Sequence, residues 1–237
     1  MNSMNLWALI PILSCTAYLG LLLSALRQFK NSVNRVFAFF LFASFSWSLF
    51  AAILSFNPSA SSSHLIFWNN MLIWALVWSF VTYYHFTRIY TGRTTGSLTY
   101  VGYAGVLVII ALSFGDYVVR DAGYVNGIFY HDIGPWLYIL LAFILPTIAS
   151  ILVMLIKKYR ASKDNVERNR IKYLIFGLSI AGIYGSVNAN IPLLASLPTD
   201  HLGTLANAII IGFVIRKYQL LDIGFVARRA LVYSILA

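Results

Sequence analysis

Seven long apolar stretches, separated by polar or basic segments, run through this sequence of 237 residues. A helix needs about 20 apolar residues to cross the roughly 30 Å hydrocarbon core of a bilayer, and each stretch approaches that length. Only 10% of the residues are charged and 60% are hydrophobic, so burying this apolar surface in water is implausible. We therefore predict an all-α membrane protein, a bundle of seven transmembrane helices at residues 6–26, 36–56, 67–87, 98–114, 135–156, 171–191 and 202–215.

The positions of lysine and arginine predict the orientation of this bundle. Arg120 follows the fourth stretch, whereas every other basic residue follows the first, third, fifth or seventh. Basic segments are retained on the cytoplasmic side of a membrane. We expect a multi-pass protein of the cell membrane with its N-terminus outside the cytoplasm and its C-terminus inside. The most basic segment, 157–172, is expected to be a solvated loop that touches anionic lipid.

The segment between the fourth and fifth stretches has the composition of a β-hairpin. Residues 117–119, 124–125 and 128–130 favour strands. Asp-Ala-Gly at 121–123 and Asn-Gly at 126–127 are both hairpin turn signals. We expect a small extracellular β-hairpin between the fourth and fifth helices.

The predicted spans lack the ionisable residues that several membrane functions require. Every Asp and Glu falls in a predicted loop or tail, which disfavours an ion-coupled transporter, and every Lys falls in a predicted cytoplasmic segment, which disfavours a retinal-binding protein. Motifs of intramembrane proteases are also missing, and we expect no enzymatic activity. The single cysteine, Cys15, excludes a cysteine-based metal site, and no cofactor is expected. The basic residues lie between apolar stretches rather than on one folded surface, which disfavours nucleic acid as a partner.

Polar side chains remain in three of the spans. Asn70, Trp74 and Trp78 share one face of the third span, because they are spaced by four residues. One interpretation is that such residues form an interfacial belt or hydrogen-bond between helices. The other is an outer cavity for a small or amphiphilic ligand, which requires the third, sixth and seventh spans to be neighbours. The candidate ligand-binding residues are Asn70, Trp74, Trp78, Asn188, Asn190 and Asn207.

Glycines in two of the spans predict close approach between helices. Gly102 and Gly105 lie in the fourth span, and Gly177, Gly182 and Gly185 lie in the sixth. Without a side chain at these positions, the backbone of a neighbouring helix can come near. We expect these glycines to have a structural role.

Three motifs near the last two spans resemble a known family. Segment 167–177 reads Glu-Arg-Asn-Arg-Ile-Lys-Tyr-Leu-Ile-Phe-Gly, segment 201–203 reads His-Leu-Gly, and segment 215–223 reads Ile-Arg-Lys-Tyr-Gln-Leu-Leu-Asp-Ile. They are similar to the N-terminal seven-helix sensor region of bacterial membrane histidine kinases and related signalling proteins. The resemblance implies a non-catalytic sensory input module that passes a signal to a cytoplasmic domain of a two-component system. It supplies no ligand and leaves open whether two copies form a homodimer.

Two other functions compete with a sensor: a small-solute transporter or channel, and a scaffolding membrane protein. The expected partners of a sensor are the lipid bilayer, an unidentified small or lipid-borne ligand, and a downstream cytoplasmic signalling domain. Residues 1–217 are expected to form the sensor domain and residues 218–237 a cytoplasmic or interfacial linker. Arg228 and Arg229 precede the apolar run 230–237, which is expected to begin a further helix.

Overall fold

The computed structural model describes residues 9–220 except 28, 30, 116, 126, 127 and 191–198. The described residues form seven helices and one two-stranded sheet, in the order α1 (Leu9–Leu26), α2 (Ser32–Phe56), α3 (Ser62–Tyr90), α4 (Ser97–Leu112), β1 (Val119–Val125), β2 (Ile128–Ile133), α5 (Trp136–Ala161), α6 (Asn165–Asn190) and α7 (Thr199–Tyr218). The predicted helical architecture and the hairpin between the fourth and fifth helices are confirmed.

Length and apolar character together separate the helices into two groups. Within the described part of the chain, four segments are long and apolar enough to cross a membrane, namely Leu9–Leu26, Ser32–Phe56, Ser62–Tyr90 and Ala142–Ala161. α4, with 16 residues, is about 24 Å long and therefore shorter than the roughly 30 Å hydrocarbon core.

The basic segment 157–172 is helical for most of its length, so the prediction of a long loop there is wrong. α5 continues to Ala161, α6 begins at Asn165, and residues 162–164 connect them. Lysine and arginine are good helix formers, so both helices continue past the apolar stretches. The Asp164 carboxylate caps α6 by accepting from the backbone N–H groups of Val166 at 3.0 Å and Glu167 at 3.2 Å.

The hairpin is antiparallel, and its register pairs Val125 with Ile128. The second predicted turn signal, at 126–127, lies outside the described residues. The first turn signal is wrong, because residues 121–123 lie inside β1. A Cβ at Gly123 would lie 2.7 Å from Cε1 of Tyr130, its partner on β2, so a larger residue here would displace this exposed ring.

The buried apolar side chains form two separate cores at different positions along the bundle. The first surrounds Tyr18, Phe37, Phe86 and Ile211 and joins α1, α2, α6 and α7 to the C-terminal part of α3. The second joins the N-terminal part of α3 to α4, β1 and the end of α2. We call the end of the bundle near β1 and β2 the hairpin end, and the end at which α7 terminates the exit end.

Helix α5 contributes to both cores and contains a proline between the two contributions. Ile144 packs in the core near the hairpin, whereas Ile151 and Leu155 pack in the other. Pro146 lies between them and removes one backbone hydrogen bond from the helix. Close by, the Thr147 hydroxyl donates to the Phe143 carbonyl at 2.8 Å. A helix interrupted at this point can bend where the two cores meet.

Candidate functional site

The polar stripe of α3 faces into the bundle. Asn70 is 2% exposed, and its Nδ2 donates to the Ser113 carbonyl at the end of α4 over 3.3 Å. Trp74 stacks on Trp78 with ring centroids 5.0 Å apart. Trp78 also meets Phe42 of α2 edge to face at 5.4 Å. These three side chains therefore lie between α3 and its neighbours α2 and α4.

Two polar atoms of this stripe are buried without a hydrogen-bond partner among the described residues. They are Oδ1 of Asn70, an acceptor, and Nε1 of Trp74, a donor. A polar group that is buried unpaired in an apolar environment costs free energy, because its bond to water is lost. Successive turns of α3 thus offer an acceptor and a donor that a ligand or a water can satisfy.

Asn207 has different partners from the α3 stripe. Its Nδ2 donates to the Tyr18 hydroxyl of α1 at 3.2 Å, and that hydroxyl donates to the Thr204 carbonyl at 3.3 Å. α7 packs against α6 and α1, whereas α3 packs against α2, α4, α5 and β1. The described contacts thus bring Asn70, Trp74 and Trp78 together and place Asn207 in a separate cluster.

The other two residues of the predicted site belong to the last turns of α6. The side chains of Asn188 and Asn190 lie outside the described part of the structure. A single cavity lined by all six candidate residues therefore stays a prediction.

Two glycines of the family-like motifs allow close contact between α6 and α7. The Asn207 Oδ1 atom lies directly over the Gly177 Cα, so a Cβ there would collide with it. A Cβ at Gly203 would lie 2.6 Å from the Tyr184 Cβ. The prediction of close approach holds at Gly177, whereas a Cβ at Gly182 or Gly185 would have no atom within 4 Å among the described residues.

An apolar cavity of about 190 Å³ lies between α3, α4 and α5. It extends from Leu112 and Trp136, next to the hairpin, to Gly102 and Phe143 in the middle of the bundle. The sequence does not predict this cavity. Gly105 lines it, but a glycine in a membrane span predicts a close helix contact instead.

At the hairpin end, side chains of β1 and β2 bind the first turns of α3. The Ser62 hydroxyl donates to an Asp121 carboxylate oxygen at 2.9 Å, and Asn69 Nδ2 lies 3.1 Å from His131 Nδ1. Tyr124 donates to the Leu54 carbonyl at the end of α2 at 2.9 Å. His131 is partly accessible to solvent, yet the surrounding protein desolvates the ring and lowers its pKa. The neutral ring can accept a hydrogen bond from the side-chain amide of Asn69.

At the exit end, a cluster of charged groups joins α5, α6 and α7. Glu167 accepts from Arg170 at 3.4 Å and lies 3.9 Å from the Lys158 Nζ of α5. Arg170 Nε donates to the carbonyl oxygen of Tyr218, the last residue of α7, at 2.6 Å. A cation at a helix C-terminus satisfies an otherwise unpaired carbonyl and opposes the negative end of the helix dipole. Arg170 therefore fixes the end of α7 to the start of α6.

A metal site finds no support in the residues that the structure describes. No group of three or more His, Cys, Asp or Glu side chains is arranged there to hold an ion.

Comparison with known proteins adds one finding to this geometry. The family model for the N-terminal 7TM region of histidine kinase matches residues 10–224. Comparison with curated proteins gives no match. The family match includes the hairpin, the exit-end cluster and all seven described helices except the first residue of α1. The chain therefore belongs to the family of N-terminal 7TM regions of histidine kinases.

Proposed function

We propose that this chain is a non-catalytic sensory input module that detects an extracellular or membrane-borne stimulus and passes it to a cytoplasmic histidine kinase domain. The family match makes a histidine kinase the expected output. The proposed division is a sensor at residues 1–217 and a linker from residue 218. The ligand is proposed to reach the α3 stripe of Asn70, Trp74 and Trp78.

The observation that carries this proposal is the bond from Arg170 to the Tyr218 carbonyl. It lies where the chain leaves the bundle, and Gln219, the next residue, has a φ of 53°. This left-handed conformation is costly for a residue other than glycine. Hydrogen bonds to a charged group contribute about 1.5–3 kcal/mol, enough to offset such a cost. The direction in which the chain exits α7 is thus coupled to α6.

The ion pairs around Arg170 support a geometric role rather than a stabilising one. Glu167 and Lys158 are partly exposed, with 19% and 36% of their side chains accessible. Partly exposed pairs contribute only about 0.2–1 kcal/mol to stability. These ion pairs connect α5 to α6. α5 also packs in the core near the hairpin, and α6 holds the end of α7. A shift of α5 at Pro146 would then reach Tyr218.

We further propose that the N-terminus and the hairpin are extracytoplasmic and the C-terminus is cytoplasmic. The basic residues cluster at the exit end, whereas the hairpin lies at the opposite end of the bundle. This distribution supports the proposal, because basic segments are retained on the cytoplasmic side. Reporter fusions near residues 62, 126 and 200 should be active only outside the cytoplasm. Fusions near residues 32, 162 and 224 should be active only inside it. One robust reversal within this set would reject the proposed topology.

Uptake measurements separate the sensor from a transporter or channel. Purified protein in proteoliposomes should give no saturable flux of radiolabelled amino acids, sugars or ions above that of empty vesicles. Robust saturable flux would reject the sensory proposal. A scaffolding protein would instead tolerate replacement of Asn70, Trp74 and Trp78 together without any change in kinase output.

A further inference from the structure

We propose that the exit-end surface of α5 and α6 binds one anionic phospholipid. Arg168 and Lys172 hold the phosphate of its headgroup, and an acyl chain lies along Ile156 and Phe176. The sequence predicts that segment 157–172 touches anionic lipid, and the contact between α5 and α6 narrows this prediction to one site. Such binding requires neither a stimulus nor a kinase, so it can be tested separately from the sensory role.

The two cations of this site lack a counter-ion in the described part of the chain. Arg168 and Lys172 are four residues apart, so they share one face of α6, and both are exposed. Neither forms an ion pair with a described carboxylate. The acidic side chains nearby have other partners: Asp164 caps α6, and Glu167 pairs with cations of α5 and α6. An anion from outside the chain can therefore bind both cations.

The side chain of Arg168 is held in place by α5. Its guanidinium lies over the ring of Tyr159, in the last turn of α5, with 4.8 Å from Cζ to the ring centroid. Its Nη2 also donates to the Tyr159 hydroxyl at 3.3 Å. Stacking uses the flat face of the guanidinium and leaves the other N–H groups at its edge free to bind a phosphate. Lys172 adds a second positive charge one turn along the helix.

Lipid-exposed apolar side chains lie beside these cations. Phe176 follows Lys172 by four residues on the same face of α6 and is 53% exposed, and Ile156 on α5 is 39% exposed. Their exposed surface meets hydrocarbon in a membrane bundle, whereas long basic side chains extend to the headgroups. Charge at the level of the headgroup and apolar surface at the level of the chains match a phospholipid. An acidic soluble protein would leave the exposure of Phe176 and Ile156 unexplained.

The charge of the site selects the type of headgroup. A zwitterionic headgroup carries its own cation beside the phosphate, and two basic side chains would repel it. Each basic side chain near an anionic membrane surface strengthens binding about fivefold, so two favour an anionic headgroup by up to about 25-fold. Phosphatidylglycerol has the required net negative charge, whereas phosphatidylcholine does not.

The test uses the purified chain in nanodiscs that contain a trace of phosphatidylglycerol with a diazirine in one acyl chain. Parallel nanodiscs contain phosphatidylcholine with the same chain. Peptides with Ile156 and Phe176 should be labelled at least about tenfold more by phosphatidylglycerol. Peptides of α4 with Leu107, which is 67% exposed, should be labelled equally by both lipids. Equal labelling of all these peptides by the two lipids would overturn the proposal, whichever way the chain is oriented.

A double variant tests the two cations. Arg168→Gln with Lys172→Gln should reduce the preference for phosphatidylglycerol at Ile156 and Phe176 to the value found for α4. Both side chains are exposed, so the variant is expected to fold, and each single variant should lose about fivefold.

A second double variant is the matched control. Arg93→Gln with Arg216→Gln removes the same charge from exposed positions of the exit end and should keep the preference. An equal loss in both double variants would show that net charge alone attracts the lipid, and the proposal would be rejected.

A further variant tests the positioning of Arg168. Tyr159→Leu removes the ring and the hydroxyl but leaves both cations, and it should lower the preference for phosphatidylglycerol by roughly two- to tenfold. An unchanged preference in folded Tyr159→Leu would contradict the positioning role of Tyr159. If this variant does not fold, the comparison of the two lipids on the wild type still decides whether the site exists.

Discussion

Asn207 of α7 donates to the Tyr18 hydroxyl of α1 at 3.2 Å, while its Oδ1 rests on Gly177 of α6. One asparagine side chain thus touches two helices besides its own. Tyr18 is 1% exposed, so this junction lies in the interior of the bundle. The junction connects α1, α6 and α7, and α7 ends at the exit end of the bundle.

Replacing Tyr18 with phenylalanine should weaken this junction. The substitution removes the bond from Asn207 and the bond to the Thr204 carbonyl. Hydrogen bonds between membrane helices contribute about 0.6 kcal/mol each on average, so we expect a loss of about 1 kcal/mol. Thermal unfolding in detergent should show a Tm lower by roughly 2–4 °C. Tyr138→Phe, at a position 73% exposed, is the control and should leave the Tm unchanged.

Adding a methyl group at Gly177 should destabilise the contact between α6 and α7. The new Cβ would displace the Asn207 side chain, and overpacking of this kind costs about 1–3 kcal/mol. Gly185→Ala, where the added atom meets no described neighbour, should cost nothing measurable. The double variant Gly177→Ala with Asn207→Ala should lose less than the sum of the single losses. Strict additivity would show that the two residues do not interact.

Acidification should loosen the hairpin through His131. Burial lowers its pKa, so the folded chain disfavours the charged ring. The stabilisation is complete above the unfolded pKa, about 6.5, and decreases as the pH falls toward the lower folded pKa. Protonation also removes the acceptor for the Asn69 amide. Between pH 7.5 and 5, the Tm of the wild type should fall more than that of His131→Gln, which keeps an acceptor and does not titrate. Parallel pH curves would contradict this role.

The sequence predicted the helices and the hairpin because each depends on local patterns. Long apolar stretches and β-prone residues beside turn signals are local features, and each of the seven described helices overlaps a predicted stretch. The helix ends were less predictable, since polar turns such as that capped by Asp164 extend α6 beyond its apolar stretch. The turn signal at 121–123 failed because these residues continue β1, where Gly123 pairs with Tyr130 of β2.

The site was predictable only in part. Spacing alone placed Asn70, Trp74 and Trp78 on one face of α3, but spacing does not reveal which helix lies opposite. The pairing of Asn207 with Tyr18 joins residues 189 positions apart. The cavity depends on the open space beside Gly105. From the sequence alone, a glycine beside a cavity cannot be distinguished from a glycine in a close helix contact. Such features arise from the packing of whole helices.

The most direct test of the sensory account is the autophosphorylation rate of a histidine kinase catalytic region fused after Ala237, measured in nanodiscs. Arg170→Lys keeps the charge but removes the Nε donor to Tyr218. The account predicts a rate at least about threefold lower, because the kinase is held less often in its productive orientation. Arg160→Lys, the same change at an exposed position on α5, should keep the wild-type rate. Equal rates for the two variants and the wild type would contradict the account.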